Sequence, residues 1–145
     1  MTLAIKEMVY KPRFTEPVIL ARDFYKGYEY IIISLGSHPC AYIALQVGQP
    51  YYNATNYDDV DIFCHGGCTF VERGDNFKPV KLSYSYNVIG WDYAHYNDFL
   101  GSYLGEEGSC PLYFNKRWTT KEIIEECKDV IEQLYILEHP ELYYK

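Results

Sequence analysis

Apolar residues recur along this chain with a period of two through its first two thirds and with a period near 3.6 towards its end. Tyr28 to Leu35 (YEYIIISL) is dense in β-branched and aromatic residues and stops at Gly36, which predicts a mostly buried strand. Cys40 to Val47 (CAYIALQV) follows a Gly-Ser-His-Pro turn and stops at Gly48 and Pro50, so it reads as the neighbouring strand. Tyr51 to Asp59 has a loop composition. Val60 to Val71 predicts a further strand, interrupted at Gly66 and Gly67, where a bulge or a close backbone approach is expected. From Val80 to Val88 the alternation is strict, with Val80, Leu82, Tyr84, Tyr86 and Val88 on one face and Lys81, Ser83, Ser85 and Asn87 on the other. That is the pattern of a half-solvated strand in an antiparallel sheet.

The period then changes. Thr119 with Glu122 three residues later is a capping box, and Ile123, Cys127, Val130, Leu134 and Leu137 follow at helical spacing until Pro140. Ile124, Ile131 and Tyr135 widen the same face, so a helix over about Thr120 to Glu138 should lie on the sheet with its polar side outward. Between Lys121 and Glu138 that side carries six carboxylates and two lysines, a local charge of −4. Gly101 to Trp118 reads as loop, with a short strand at Leu112 to Phe114, and the first eleven residues as a short helix or a frayed arm. Strands followed by one long helix predict a single α+β domain over residues 1–145, an antiparallel β-sheet carrying one long amphipathic C-terminal helix.

Charge narrows the partners. The 145 residues include 20 Asp and Glu against 13 Lys and Arg, a formal charge of −7, with no basic run, so direct nucleic-acid binding is not expected and neutral or basic partners are. Neither a signal peptide nor a membrane-length apolar segment is visible, which predicts a cytosolic protein with no membrane partner. Five cysteines are expected there as thiols. Oligomeric state is not set by the sequence.

Chemistry concentrates in the middle third. His65 heads HGGCTF, and His95 lies in GWDYAHYND with Asp92 three residues before it and Asp98 three after. If the chain turns helical after Trp91, Asp92 and His95 share a face and converge on one ion. His38, at the head of HPCAYI, points to the same end of the sheet, although a hydrogen-bonded core histidine is its competing reading. Imidazole with carboxylate suits zinc and, less specifically, other divalent transition metals, so His38, His65, Asp92, His95 and Asp98 are the candidate metal ligands. The two aspartates also have a simpler reading as turn or helix caps. Cys64 and Cys68 would fall on the face opposite His65 in a strand and are left out. His139 should meet the carbonyls at the helix end instead of a metal.

No nucleophile elbow and no phosphate-cradling glycine loop occurs, so catalysis is open, with the balance towards a protein that is not an enzyme. Among the 17 tyrosines, Tyr51, Tyr52, Tyr57, Tyr93, Tyr96, Tyr103, Tyr143 and Tyr144 cluster in loops, as either a protein-binding surface or solvated side chains.

HPCAYI at 38–43, HGGCTF at 65–70 and GWDYAHYND at 90–98 resemble small proteins encoded by bacteriophages and prophages, in which an HGGxTF element precedes a G-aromatic-D-x-A-H-x-x-D element. The resemblance covers about 61 residues together with a similarly placed C-terminal helix. Most members have no assigned activity, and one lineage is similar to metal-containing anti-CRISPR proteins that block a type II CRISPR effector nuclease. The resemblance implies that His65, Asp92, His95 and Asp98 form a shared site, from which Cys64 and Cys68 are departures. It also implies an acidic viral inhibitor in the host bacterial cytoplasm, holding zinc and binding its basic nuclease partner stoichiometrically through protein–protein contact. The alternatives are a metal-dependent hydrolase of a nucleotide or phosphodiester, and a metal-free scaffold whose His and Asp residues satisfy one another.

Overall fold

The computed structural model describes residues 4–101 and 115–142. Strands β1 (Val18–Tyr25), β2 (Tyr28–Ser34), β3 (Pro39–Leu45), β4 (Phe70–Arg73) and β5 (Asn87–Asp92) are followed by one α-helix, α1 (Thr120–Glu138). The strands form a five-stranded sheet in the order β1-β2-β3-β5-β4, and every pairing is antiparallel. The α+β architecture expected from the pattern is the one observed.

β2 and β3 are buried along their whole length, because both faces of the sheet are covered. Tyr30, Ile32, Ala41, Ile43, Leu45, Ile89 and Trp91 face α1 and pack with Ile123, Cys127, Val130, Ile131 and Leu134. Ile31, Ile33, Cys40, Tyr42, Ala44 and Val88 point the other way, towards Phe77 and Val80. A run such as YIIIS, apolar on successive residues, is what a doubly covered strand requires.

That second cover explains a strand the alternation predicts and the chain does not make. Residues 80–86 are irregular, and Val80 is buried while Tyr84 is 68% exposed. Their apolar members lie across the sheet as a lid of loop, so the same alternation serves packing without a ladder. The strand starts only at Asn87. Val60 to Val71 departs in the same way, since only Phe70 to Arg73 is paired. β1 carried no clear sequence signal, with an irregularity in register at Leu20. The N-terminal segment is neither helix nor frayed arm: residues 4–17 run as an extended strap, with Lys6 N–H on Leu20 O at 2.7 Å and Phe14 N–H on Leu35 O at 2.8 Å. The expected strand at Leu112 to Phe114 lies outside the described residues.

α1 has the expected bounds and the expected capping box, in which the Thr119 hydroxyl accepts from Glu122 N–H and the Glu122 carboxylate accepts from Thr119 N–H. Its acidic side is less free than the composition implied. Glu122 pairs with Lys116, Glu126 turns towards His65 and Tyr93, Glu132 holds Lys26 and Tyr25, and Glu138 accepts from Tyr28. Leu137, placed on the apolar face by spacing, is 52% exposed. Among the described residues, no helix is long and apolar enough to cross a membrane.

Candidate functional site

GWDYAHYND begins as strand and leaves it at Asp92, and no helix follows. Asp92 Oδ1 accepts from Ala94 N–H at 3.1 Å, a side-chain turn that reverses the chain. Tyr93 then points into the core, fully buried, and Tyr96 points out, 88% exposed. Asn97 takes a left-handed φ of 75°, which asparagine tolerates better than most residues, and this returns the chain inward at Asp98. The neighbouring 97–99 segment pairs with Lys116 through Lys116 N–H on Asn97 O at 2.8 Å and Phe99 N–H on Lys116 O at 2.9 Å. That pairing delivers Trp118 to the same place.

Asp98 is the hub. Only 6% exposed, it accepts from His65 Nε2 at 2.6 Å and His95 N–H at 2.9 Å on Oδ2, and from Trp118 Nε1 at 2.9 Å on Oδ1. A carboxylate only accepts, so the arrangement places the His65 proton on Nε2. The His65 ring stacks on Tyr93, with centroids 4.9 Å apart and planes 6° from parallel, while Trp118 and His95 flank it at 4.9 Å and 5.5 Å. His65 N–H donates to Glu126 Oε2 at 3.1 Å, and Glu126 Oε1 accepts from the Tyr93 hydroxyl, which in turn accepts from Trp91 Nε1 at 3.0 Å. Burial, and then the Glu126 carboxylate, push the Tyr93 phenol far above its ordinary range. The HGG segment, the DxxHxxD turn, the Trp118 segment and α1 are thereby tied together by hydrogen bonds.

His95 is held differently. Its Nε2 lies 3.2 Å from Asp92 Oδ1, but the direction is wrong for a hydrogen bond and that buried nitrogen has no partner. Gly66, at φ 73°, passes directly beneath the ring, and a Cβ there would collide with Nε2. This is the close backbone approach that the glycine pair predicted, and it explains why HGG carries glycine at this position. His38 stands at the same end of the sheet, just before β3, with Nδ1 2.9 Å from Ser37 Oγ. Burial holds its pKa below the ordinary histidine value, opposed by the charges of Asp92 and Asp98.

The five expected residues lie towards one end of the sheet, as two pairs, His65 with Asp98 and His95 with Asp92, and a His38 held by Ser37, instead of one cage. Among the described residues, no three His, Cys, Asp or Glu side chains are arranged to hold a metal ion. The donor types suit zinc, but Asp98 and His65 face each other, and Asp92 Oδ1 is occupied by its own turn. Cys64 and Cys68 are not on a strand, so the face argument against them does not apply. Both are half-buried thiols, and burial raises Cys64 to about 12. The His139 ring lies against Tyr135 and within 3.4 Å of a Glu141 oxygen, away from the site.

Sequence reasoning missed Tyr93, Trp118 and Glu126. In sequence Tyr93 sits among loop tyrosines, and Glu126 lies on the polar side of the helix. One usable signal existed for Glu126, which directly precedes the buried Cys127 and so borders the apolar stripe. No protein-family model matches this chain, and comparison with curated proteins and with solved structures also gives no match.

Proposed function

We infer that this is a protein-binding module whose His–Asp cluster is a structural clasp, and whose acidic surface engages a basic partner. The observation that supports the clasp is Asp98, buried and accepting from three separate points of the chain, one of them the His65 imidazole. A carboxylate so fully occupied has its own oxygens committed to joining these segments. With −7 net charge, charge complementarity favours a basic protein, and the resemblance of the HGG and DxxHxxD elements to phage and prophage proteins makes a host defence nuclease, a type II CRISPR effector, the partner proposed. In that mechanism the protein occupies positive surface that DNA would otherwise use. The test is a mixing assay with purified type II effector. Blocked DNA cleavage near equal molar ratio is expected, and unaffected cleavage at large excess would refute the nuclease reading.

One observation favours a second reading, a metal-dependent hydrolase of a nucleotide or phosphodiester. The orphaned His95 Nε2 faces Asp92 with both side chains about one third exposed, where a zinc ion could take the nitrogen as a ligand and supply Lewis-acid chemistry. Elemental analysis and two variants separate the readings. Loss of stability in His65→Ala and His95→Ala marks a structural site, with metal loss alongside if zinc completes it. Normal folding with lost phosphodiester turnover marks an enzyme.

A further inference from the structure

Phe63 and Leu137 are exposed where their local patterns call for burial or a polar residue, and both adjoin Gln133 of α1, one through its backbone and one along the helix. In Val60-Asp61-Ile62-Phe63 the first and third residues are buried, 6% and 7% exposed, and the second is exposed. The alternation reserves the fourth position for a polar residue. Phe63 occupies it at 88% exposure. Leu137, at a helical position whose spacing belongs to the core, is 52% exposed.

Scattered exposed apolar residues are ordinary. Phe63 is distinguished by how its backbone is held. Gln133 of α1 donates from Nε2 to Phe63 O at 2.8 Å and accepts from Phe63 N–H at 2.8 Å, so one side-chain amide satisfies both polar groups as a neighbouring strand would. The Tyr51 hydroxyl donates to Asp61 O at 3.2 Å, and His65 N–H is held by Glu126. The chain carrying Phe63 is pinned on both sides while the ring itself is left in solvent. On the helix, Asp129 and Leu137 stand one turn before and one turn after Gln133 on the same stripe. Asp61, two residues before Phe63, shares its outward face.

We propose that Phe63, with Asp61 at its rim and joined through Gln133 to the α1 stripe that carries Asp129 and Leu137, is a preorganised aromatic anchor that enters an apolar pocket edged by Lys and Arg on a partner protein. This rests on the binding-module reading and names its surface. Anchors of this kind carry most of an interface's energy, and holding the backbone beforehand removes an ordering cost at binding. A second copy of the chain is the weaker occupant, because it brings the same −7 charge to the contact.

The test uses the full chain, nitrogen-15 labelled, and a synthetic amphipathic helix of leucine and lysine as the probe. Shift changes concentrated at residues 61–64 and 129–137 are expected, with affinity at least about tenfold weaker for Phe63→Ser and clearly weaker for the Asp61→Asn, Asp129→Asn double variant. Gln133→Ala, which frees the backbone and keeps the ring, should also weaken binding. Phe63→Ser should melt with the parent protein, so lost binding there is not lost folding. Changes mapping elsewhere, affinity within twofold in Phe63→Ser, or dimerisation through Phe63 in sedimentation would overturn the proposal. In the nuclease assay, full inhibition by Phe63→Ser sinks this surface and leaves the nuclease reading. Binding of the probe at Phe63 by a protein that inhibits no nuclease does the reverse.

Discussion

Replacing Asp98 with alanine strips the acceptor from three donors at once: His65 Nε2, His95 N–H and Trp118 Nε1. A buried donor left without a partner costs about 1–3 kcal/mol. The three losses are coupled through one carboxylate and do not add, so about 4 kcal/mol is expected for Asp98→Ala. That is a large share of the roughly 5–15 kcal/mol that holds a domain together. For a chain of this length each kcal/mol moves the melting temperature by about 2–4 °C, giving a fall of about 8–16 °C. Asp98→Asn keeps the shape and one oxygen, but its amide must face a donor on one side, and about 1–3 kcal/mol is expected. Trp118→Phe removes a donor and leaves Asp98 with two others, so about 1 kcal/mol should be lost. The ordering Ala, then Asn, then Trp118→Phe is read by chemical denaturation with circular dichroism. An Asp98→Ala protein melting within about 3 °C of the parent would refute the clasp.

Three further outcomes follow from the same geometry. Gly66→Ala forces a Cβ into the His95 ring at a left-handed φ, so a loss of at least about 1–2 kcal/mol is expected, with the His95 imidazole signals displaced in proton NMR; unchanged ring signals would count against the packing. Tyr93→Phe deletes the hydroxyl between Trp91 Nε1 and Glu126 and strands a buried indole N–H, which should cost about 1–3 kcal/mol by denaturation. The Lys116 ammonium and the helix cap hold Glu122 below its ordinary 4.5, and Lys26 does the same for Glu132. The unfolded chain then binds more protons in acid, so this stability is present above pH 4.5 and is lost as pH falls through the depressed values. Melting curves against pH should flatten in Glu122→Gln, and an unchanged slope would remove Glu122 from the account.

The C-terminal helix was legible to its bounds because capping and periodicity are local, while β2 and β3 were legible as strands that end one and two residues before the expected Leu35 and Val47. What was not legible depends on which surface covers which. Of the alternating set in Val80 to Val88, all but Tyr84 meet the apolar face, and a loop lying on a sheet produces such a pattern as readily as a strand. The i, i+3 relation of Asp92 and His95 did bring them to 3.2 Å, through an aspartate turn instead of a helix, so the juxtaposition was readable although its backbone was not. His65 with Asp98 joins residues 33 apart, and only HGG and its glycines hinted that something must come close. Tyr93 and Trp118 gave no sign, since aromatic residues flanking a polar ring look like any core aromatic in sequence.

Charge is where the structure most changes the meaning of the sequence. Composition places six carboxylates on α1 and suggests an acidic helix as the docking face, yet Glu122, Glu126, Glu132 and Glu138 each accept from a group on another part of the chain. Lys116 and Lys26 neutralise Glu122 and Glu132, whereas the phenol and backbone donors to Glu126 and Glu138 orient those carboxylates without removing their charge. Outward, α1 offers Glu125 and Asp129 against Lys121, close to neutral. Further exposed carboxylates stand at Asp58 and Asp59, in a short 3-10 turn, and at Asp61, in the segment that ends at Phe63 and leads into HGG. The clasp that fixes His65 therefore also fixes the chain just before it, which ties the interior cluster to the surface through two residues of backbone. On that footing, loosening Asp98 should weaken partner binding in proportion to the disorder it releases at Phe63. Removing the ring itself should weaken binding with the clasp intact.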